Sequence, residues 1–460
     1  MSEHECDVVV VGMGPGGEHV ADELARAGLA VAGVEARLVG GECPYWGCVP
    51  SKMMIRAANL LAEGRRIPGM AGLATVCPDW APVAARIRAE ATDNWDDTVA
   101  ADRFTALGGT LFRGTGVITA PGRVSVGEDV VTARRGIVIN TGTEPAIPPI
   151  PGLAETPFWT NREAVETEQV PASLIVLGGG AIGAELSQVF ARFGSTVTVI
   201  EAAGRLLPMD EPEAGDLLAA VFGRDGIGVL AGIAAKSVTH SQAGFAVTLS
   251  SGEVVSGERL LVATGRRADL ASLGVAAIGL DETAHAIDVD GNMLAAPGVW
   301  AIGDVVGKGG FTHMSMYHAD IVIACLLGRE HHEAEYHAVP RVSFTDPEIG
   351  SVGLTEAQAR QELADVHVGV AQLPSSSRGW IHKAGNDGFI KLVADPGSGV
   401  LVGATSAGPA GGEVLSMLTL AVHARIPVQR LREMIYAYPT FHGAVSDALS
   451  QLGPGSSSNG

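Results

Sequence analysis

Positive charge, aromatic side chains and cysteine are all scarce in this sequence. Lys and Arg number 31 against 51 Asp and Glu, for a formal charge of −20. No basic patch stands out, and a protein that grips phosphate backbones needs one, so nucleic acid is excluded as an expected partner. Five cysteines in 460 residues are too few for a secreted disulfide framework, so a close pair among them is read as catalytic or metal-binding. No stretch reaches the roughly 18 uninterrupted apolar residues of a membrane span. The chain opens without a basic segment and apolar core of the secretory kind, and the short run from Asp7 to Gly12 leads into glycines. The expectation is a cytoplasmic protein with no membrane partner.

Glycine, by contrast, is abundant at 61 positions, as in chains with many tight turns against ligands. The length predicts roughly three domains of about 100–200 residues. Near the start, the β-branched run Asp7–Val11 is followed by Gly12, Gly14 and Gly17 and then by a helical stretch, Glu18–Arg26. In this strand–turn–helix unit the first glycine permits the turn. The second lets backbone approach a pyrophosphate, the third lets helix and strand pack, and the helix N-terminus faces the phosphates. A second strand, Ala30–Val34, ends at Glu35, placed to accept from the ribose hydroxyls of a dinucleotide. The unit recurs: Leu174–Leu177 leads into Gly178, Gly180 and Gly183, and the strand Thr196–Ile200 ends at Glu201. In both copies the acid lies 23 residues after the first glycine, which implies two bound dinucleotides. Glu201 favours NAD(H) over NADP(H), because a carboxylate repels a 2′-phosphate; Arg205 nearby argues the other way.

Between the first unit and the next helical stretch lies Gly40-Gly41-Glu42-Cys43-Pro44-Tyr45-Trp46-Gly47-Cys48-Val49-Pro50-Ser51-Lys52. Zinc sites usually pair cysteines more tightly and need two further ligands, and neither Cys77 nor Cys325 has a neighbouring Cys or His in sequence, so no metal site is expected. The histidines His331, His332 and His337 lie among acidic residues and read as solvated surface. With its glycines and trailing Pro-Ser-Lys, the cysteine segment resembles the redox site of the pyridine nucleotide-disulfide oxidoreductases, the family of dihydrolipoamide dehydrogenase, glutathione reductase and mercuric reductase. The resemblance continues through Ala263-Thr264-Gly265-Arg266-Arg267, Ala301-Ile302-Gly303-Asp304 and Val339–Pro347, and covers nearly the whole chain.

The resemblance implies an α/β fold with two doubly wound dinucleotide-binding domains, for FAD and NAD(P), and a C-terminal α+β dimerisation domain that makes a homodimer. The expected boundaries are 1–148 and 269–335 for the two parts of the FAD domain, 149–268 for the NAD(P) domain, 336–450 for the dimerisation domain and 451–460 for a disordered, glycine- and serine-rich tail. It also implies that Cys48 lies against the flavin while Cys43 exchanges with substrate, with a helix starting near Pro50 to stabilise the thiolate. Lys52 matches a lysine beside the flavin, paired with Glu185. FAD binding is implied for Gly12, Gly14, Gly17, Glu35, Gly41, Lys52, Gly116, Gly142, Asp304 and Thr312. NAD binding is implied for Gly178, Gly180, Gly183, Glu201 and Gly265.

The sequence departs from the family at two places. Disulfide-reducing members carry a His-Pro-Thr motif with a glutamate five residues after the histidine; here the stretch reads Tyr438-Pro439-Thr440-Phe441-His442-Gly443. A phenol of ordinary pKa near 10 stands where an imidazole near 6.5 is usual, which weakens proton shuttling at neutral pH. His442 lies one turn further on as an alternative acid-base, with Thr440 read as a helix cap. The tail lacks the cysteine pair that mercuric reductases use to deliver Hg(II). Large rings, Tyr45 and Trp46, also stand between the cysteines, to shape the substrate approach or simply to pack. The readings are a reductase or oxidase of a small disulfide or dithiol, a flavin enzyme serving quinones or other non-thiol acceptors, a mercuric reductase, and a subunit without turnover.

Overall fold

A computed structural model of the chain describes residues 2–453; Pro454–Gly460, most of the expected tail, lie outside the described residues. The described part forms two compact units. One gathers the residues up to Ser51 with Ala84–Ala146 and Gly265–Tyr336; the other gathers Lys52–Val83, Ile147–Thr264 and the chain from His337 onward.

In the first unit, Ser2–Val11 is the central strand of a sheet whose order runs Leu294–Ala296, Val299–Ala301, Asp129–Ile139, Ser2–Val11, Val31–Glu35, Thr110–Arg113. Its pairings with Val31–Glu35 and Asp129–Ile139 are parallel. Val8, Val9, Val10 and Val11 are all buried, the continuous apolar run expected of a parallel strand covered on both faces. The strand begins at Ser2, five residues before the sequence reading placed it, because Ser2–Glu5 is polar and exposed and shows no apolar run. The helix Pro15–Arg26 follows the glycine turn directly, with proline in its first turn.

The second unit repeats this arrangement in a four-stranded parallel sheet, ordered Gly228–Ala231, Thr196–Glu201, Ser173–Leu177, Arg259–Val262. The helix Ala181–Arg192 leaves from its glycine turn. An antiparallel three-stranded sheet lies between Ala235 and Gly257. Beyond His337, a five-stranded antiparallel sheet is ordered Pro340–Ser343, Glu348–Gly353, Val400–Gly408, Phe389–Asp395, His367–Gln372. The helices Gly411–His423 and Gly443–Gln451 bury Val414, Leu418, Ala444 and Leu449 in the core of that region. The fold class is the expected one: α/β dinucleotide-binding sheets with a C-terminal α+β part. No helix among the described residues is long and apolar enough to cross a membrane.

Candidate active site and family

The two glycine turns are the same object built twice. Gly12 and Gly178 have φ of +95° and +104°, the left-handed region that glycine enters without penalty. A Cβ on Gly17 would strike the carbonyl of Gly12, and one on Gly183 the carbonyl of Gly178. Gly14 and Gly180 are the helix N-caps, and neither helix has a side-chain cap. A Cβ on Gly180 would meet nothing within 4 Å. A Cβ on Gly14 would crowd the Asn140 amide at 3.3 Å; first-turn N–H groups left uncapped fit an anionic pyrophosphate, so these residues suit the dinucleotides the sequence implies.

The acids that end the second strands do something the sequence reading did not foresee. Glu35 accepts from the backbone N–H of Met13 (2.8 Å) and of Arg37 (2.7 Å). Glu201 accepts from Gly179 (2.5 Å) and Ala203 (2.6 Å). Each carboxylate thus braces the residue just after its first glycine and the residue two beyond itself, with one lone pair on each oxygen still open to a ribose hydroxyl. Burial pushes Glu35 above the usual carboxylate range, with the two N–H bonds opposing it. Arg205 turns away from this position, donating to the carbonyls of Pro208 and Asp210.

Cys43 lies in the short helix Glu42–Tyr45, and Cys48 is the first residue of the helix Cys48–Arg66. That helix starts two residues earlier than expected, which puts Cys48 itself at its positive end. The two thiols are hydrogen-bonded to each other; the Cys48 sulfur and then burial push the Cys43 thiol up. Thr312 Oγ1 lies 3.4 Å from Cys48 Sγ and also hydrogen-bonds Cys43. Cys48 is exposed and Cys43 half-buried. Tyr45 is packing: it is buried, and its hydroxyl donates to the Val39 carbonyl at 3.2 Å.

Asp304 is half-buried, and its partial burial raises its carboxyl; it accepts from Thr143 Oγ1 at 3.0 Å. Arg266 Nε donates to the same Thr143 hydroxyl at 2.9 Å, and the Arg266 guanidinium lies 3.8 Å from Glu42. A chain of polar contacts therefore runs from Asp304 to the residue preceding Cys43. Gly142, beside Thr143, has φ +65° and open space around it, as has Gly265 with φ +111°. Gly265 falls in the first unit, where its carbonyl accepts from Ala146. Gly41, with φ +67°, sits against Gly14, whereas Gly116 is walled in by Val11, Val34 and Val124.

Lys52 stands one turn after Cys48 on the same helix. In the second unit it forms an ion pair with Glu185 (2.8 Å), and its ammonium lies 4.6 Å from the centre of the Phe344 ring. The other oxygen of Glu185 accepts from the Phe344 backbone N–H at 2.8 Å, so the pairing implied by the family resemblance is present in the geometry.

The C-terminal candidates are less organised. Tyr438 is 82% exposed. His442, not Thr440, is the N-cap of the helix Gly443–Gln451, and its side chain makes no capping bond. Thr440 instead turns its hydroxyl back to the carbonyl of Ala437 at 2.8 Å, a local side-chain to backbone bond that competes with capping. Sequence pattern alone cannot tell these two uses of threonine apart.

One residue escaped the sequence reading altogether. His318 is fully buried on the helix Thr312–Leu327. Its Nδ1 accepts from the Gly303 backbone N–H at 3.2 Å, which leaves the proton on Nε2, 3.1 Å from the Tyr336 hydroxyl. That hydroxyl in turn donates to Met293 Sδ at 3.6 Å. His318 thereby holds the turn that presents Asp304, and its only sequence signal was an unassigned histidine in an apolar helix.

With this geometry in view, comparison with known proteins is decisive about class. The family model described as pyridine nucleotide-disulphide oxidoreductase matches residues 6–319, and the dimerisation domain of the same family matches residues 339–449. The chain belongs to this family of flavin- and pyridine nucleotide-dependent enzymes and is an oxidoreductase. Among individual proteins, it is 33% identical over 447 residues to the mercuric reductase of Acidithiobacillus ferrooxidans, covering 95% of this chain and 80% of that one. It is 33% identical over 466 residues to the dihydrolipoyl dehydrogenase of Chlorobaculum tepidum, covering 98% of each. A solved structure of a copper(II) complex of RclA, an HOCl-induced flavoprotein disulfide reductase from Escherichia coli, superposes with a TM-score of 0.85 at 25% identity, over 97% of this chain and 99% of that one.

The buried His318 gives a pH prediction. Burial lowers its pKa from 6.5 to about 4, so the unfolded chain takes up the proton first. The stability this residue supplies is complete above about pH 6.5 and is lost as pH falls towards 4, by roughly 3 kcal/mol at most. Urea unfolding between pH 4.5 and 7 should therefore show a shallower pH dependence for His318→Gln than for the wild type. Equal slopes would contradict the assignment.

Proposed function

We propose that this enzyme passes electrons from NADH, through FAD, to a small disulfide substrate by way of Cys43 and Cys48, and that it works as a cytoplasmic homodimer. The observation that carries this reading is the hydrogen-bonded pair of thiols at a helix N-terminus, in the same compact unit as the first glycine turn and Asp304. FAD held by that turn and Asp304 would supply two-electron transfer between the nicotinamide and the sulfurs.

The remaining steps belong to side chains. The Cys43–Cys48 disulfide takes two electrons and one proton to become a Cys43 thiol beside a Cys48 thiolate. As it opens, the sulfur at position 48 is released as a thiolate, which the first-turn N–H groups of its helix stabilise. Cys43, whose thiol the neighbouring sulfur and burial hold protonated, must pass its proton to the hydrogen-bonded Cys48 thiolate before it attacks an external disulfide. The first unit supplies the FAD contacts: the Gly12–Gly17 turn and Glu35 for the adenosine end, and Asp304, held by Thr143 and His318, for the ribityl chain. The Gly178–Gly183 turn and Glu201 would hold NADH. Lys52, one turn after Cys48 on the same helix and paired with Glu185, is the lysine that the family resemblance assigns to the flavin, whose reduced form a positive charge would favour.

The exposed phenol of Tyr438 and the absence of a glutamate at Gly443 favour a second reading, in which the final acceptor is a quinone or another molecule that needs no thiol proton shuttle. The curated relatives named mercuric reductase and dihydrolipoyl dehydrogenase point to metal ion and dithiol chemistry respectively, and both fit the same pair of sulfurs.

Steady-state turnover of Cys43→Ser separates the two readings. Reduction of a small disulfide should fall by more than roughly a hundredfold, while a quinone acceptor, if used, should be reduced within a few-fold of wild type. Retained disulfide reduction in this variant would overturn the proposal. For cofactor choice, kcat/KM should favour NADH over NADPH, and Glu201→Gln, which removes the charge and keeps an acceptor for only one of the Gly179 and Ala203 N–H groups, should narrow the ratio by roughly tenfold, the effect of about 1.4 kcal/mol of lost repulsion.

A further inference from the structure

The sequence reading left Cys325 without a histidine neighbour and His331 as solvated surface. The structure corrects the first: His331 Nε2 lies 3.2 Å from Cys325 Sγ and 2.9 Å from Asn292 Oδ1. The folded chain closes this gap by turning back on itself. Cys325 sits in the last turn of the helix Thr312–Leu327, which Gly328 ends in a left-handed conformation. Asn292 comes from a tight turn in which Asp290 accepts from the N–H groups of Asn292 and Leu294. His332 and His337 are elsewhere: His332 stacks on Tyr317 and His337 on His423.

The proton accounting at this cluster closes with a proton on His331 Nε2, with the Asn292 amide turned to donate its Nδ2, or with a metal ion held between the three side chains. His331 Nδ1 faces the Arg329 carbonyl at 3.1 Å, and a carbonyl can only accept, so Nδ1 carries the hydrogen. In the neutral ring Nε2 then presents a lone pair. The Cys325 thiol can donate to it, but the Asn292 oxygen cannot, so two electron-rich atoms are left facing each other. A backbone carbonyl that fixes the tautomer and turns the other nitrogen inward is also how metal-binding histidines are oriented.

We propose that Cys325 Sγ, His331 Nε2 and Asn292 Oδ1 form a site for a borderline, closed-shell divalent cation of the zinc(II) class, with water as the fourth ligand. Zinc takes sulfur at about 2.3 Å and nitrogen or oxygen at about 2.0–2.2 Å, so tetrahedral ligands stand roughly 3.3–3.6 Å apart. Opening the observed spacing by a few tenths of an ångström is enough. On binding, the Cys325 thiol loses its proton to solvent and the thiolate bonds to the metal. Burial, and then the charge of Asp290, hold the metal-free thiol protonated; the same Asp290 charge attracts a cation. Such a site would tie the end of the Thr312–Leu327 helix to the Asp290–Leu294 turn, far along the chain from the redox cysteines.

The test uses the FAD-loaded protein with Cys43 and Cys48 oxidised to their disulfide, so that this pair offers no thiolate. Zinc is titrated against a chromophoric chelator, and alkylation of Cys325 by iodoacetamide is followed by peptide mass spectrometry. One zinc per chain and at least tenfold slower alkylation of Cys325 are expected, with both effects lost in His331→Ala and weakened in Asn292→Ala. Cys325 alkylation unchanged by saturating zinc, or zinc affinity unchanged in His331→Ala, would overturn the proposal. Because the redox pair is oxidised throughout, failure here leaves the electron route untouched.

Discussion

The contact between the Cys43 and Cys48 sulfurs is the constraint on which the site depends. Two thiols close enough to hydrogen-bond need little movement to become a disulfide, and the chain around them fixes that closeness. Gly40 and Gly41, both at positive φ, turn the backbone into the short helix that bears Cys43. Tyr45 is pinned by its hydroxyl to Val39 behind the loop. Thr312, from a helix over 260 positions away in sequence, closes the third side. The longer helix begins on Cys48 itself, so a charge appearing on that sulfur when a disulfide opened would develop where helix N–H groups face it.

Around that pair, each nucleotide turn is stiffened from within. Glu35 and Glu201 use backbone N–H groups of their own turns to hold those turns open, so the residue that would read the ribose also sets the shape that receives the pyrophosphate. In the first unit this internal bracing extends to Asp304, held on one side by Thr143 and, through the Gly303 turn, by His318 on the other. The recurrence of one bonding pattern in two sheets, at the same spacing, argues that it serves the common task of both turns.

Much of this was legible in the sequence, because glycine turns, apolar parallel strands and the cysteine segment are local patterns. The two strand–turn–helix units, the α/β class and the C-terminal α+β part follow from such patterns or from the family resemblance they support. What escaped was non-local or depended on which of two bonds a side chain makes. The polar Ser2–Glu5 end of the first strand carries no apolar signal, and its pairing with Asp129–Thr132 is visible only in the folded sheet. Thr440 was read as a cap because threonine before a helix usually is one, whereas here it bonds backwards and His442 takes the cap position. His318 and the Cys325–His331 contact depend on partners brought in by the fold, and no spacing rule would have paired Gly303 with a histidine 15 residues later.

The most direct measurement of the central claim is an anaerobic titration of the FAD-loaded protein with NADH, followed by visible absorbance. The account predicts that two electrons per chain produce a long-wavelength band, the signature of a Cys48 thiolate against oxidised flavin, and that the band is missing in Cys48→Ser. Direct bleaching of the flavin by the first two electrons, with no such band in the wild type, would contradict it.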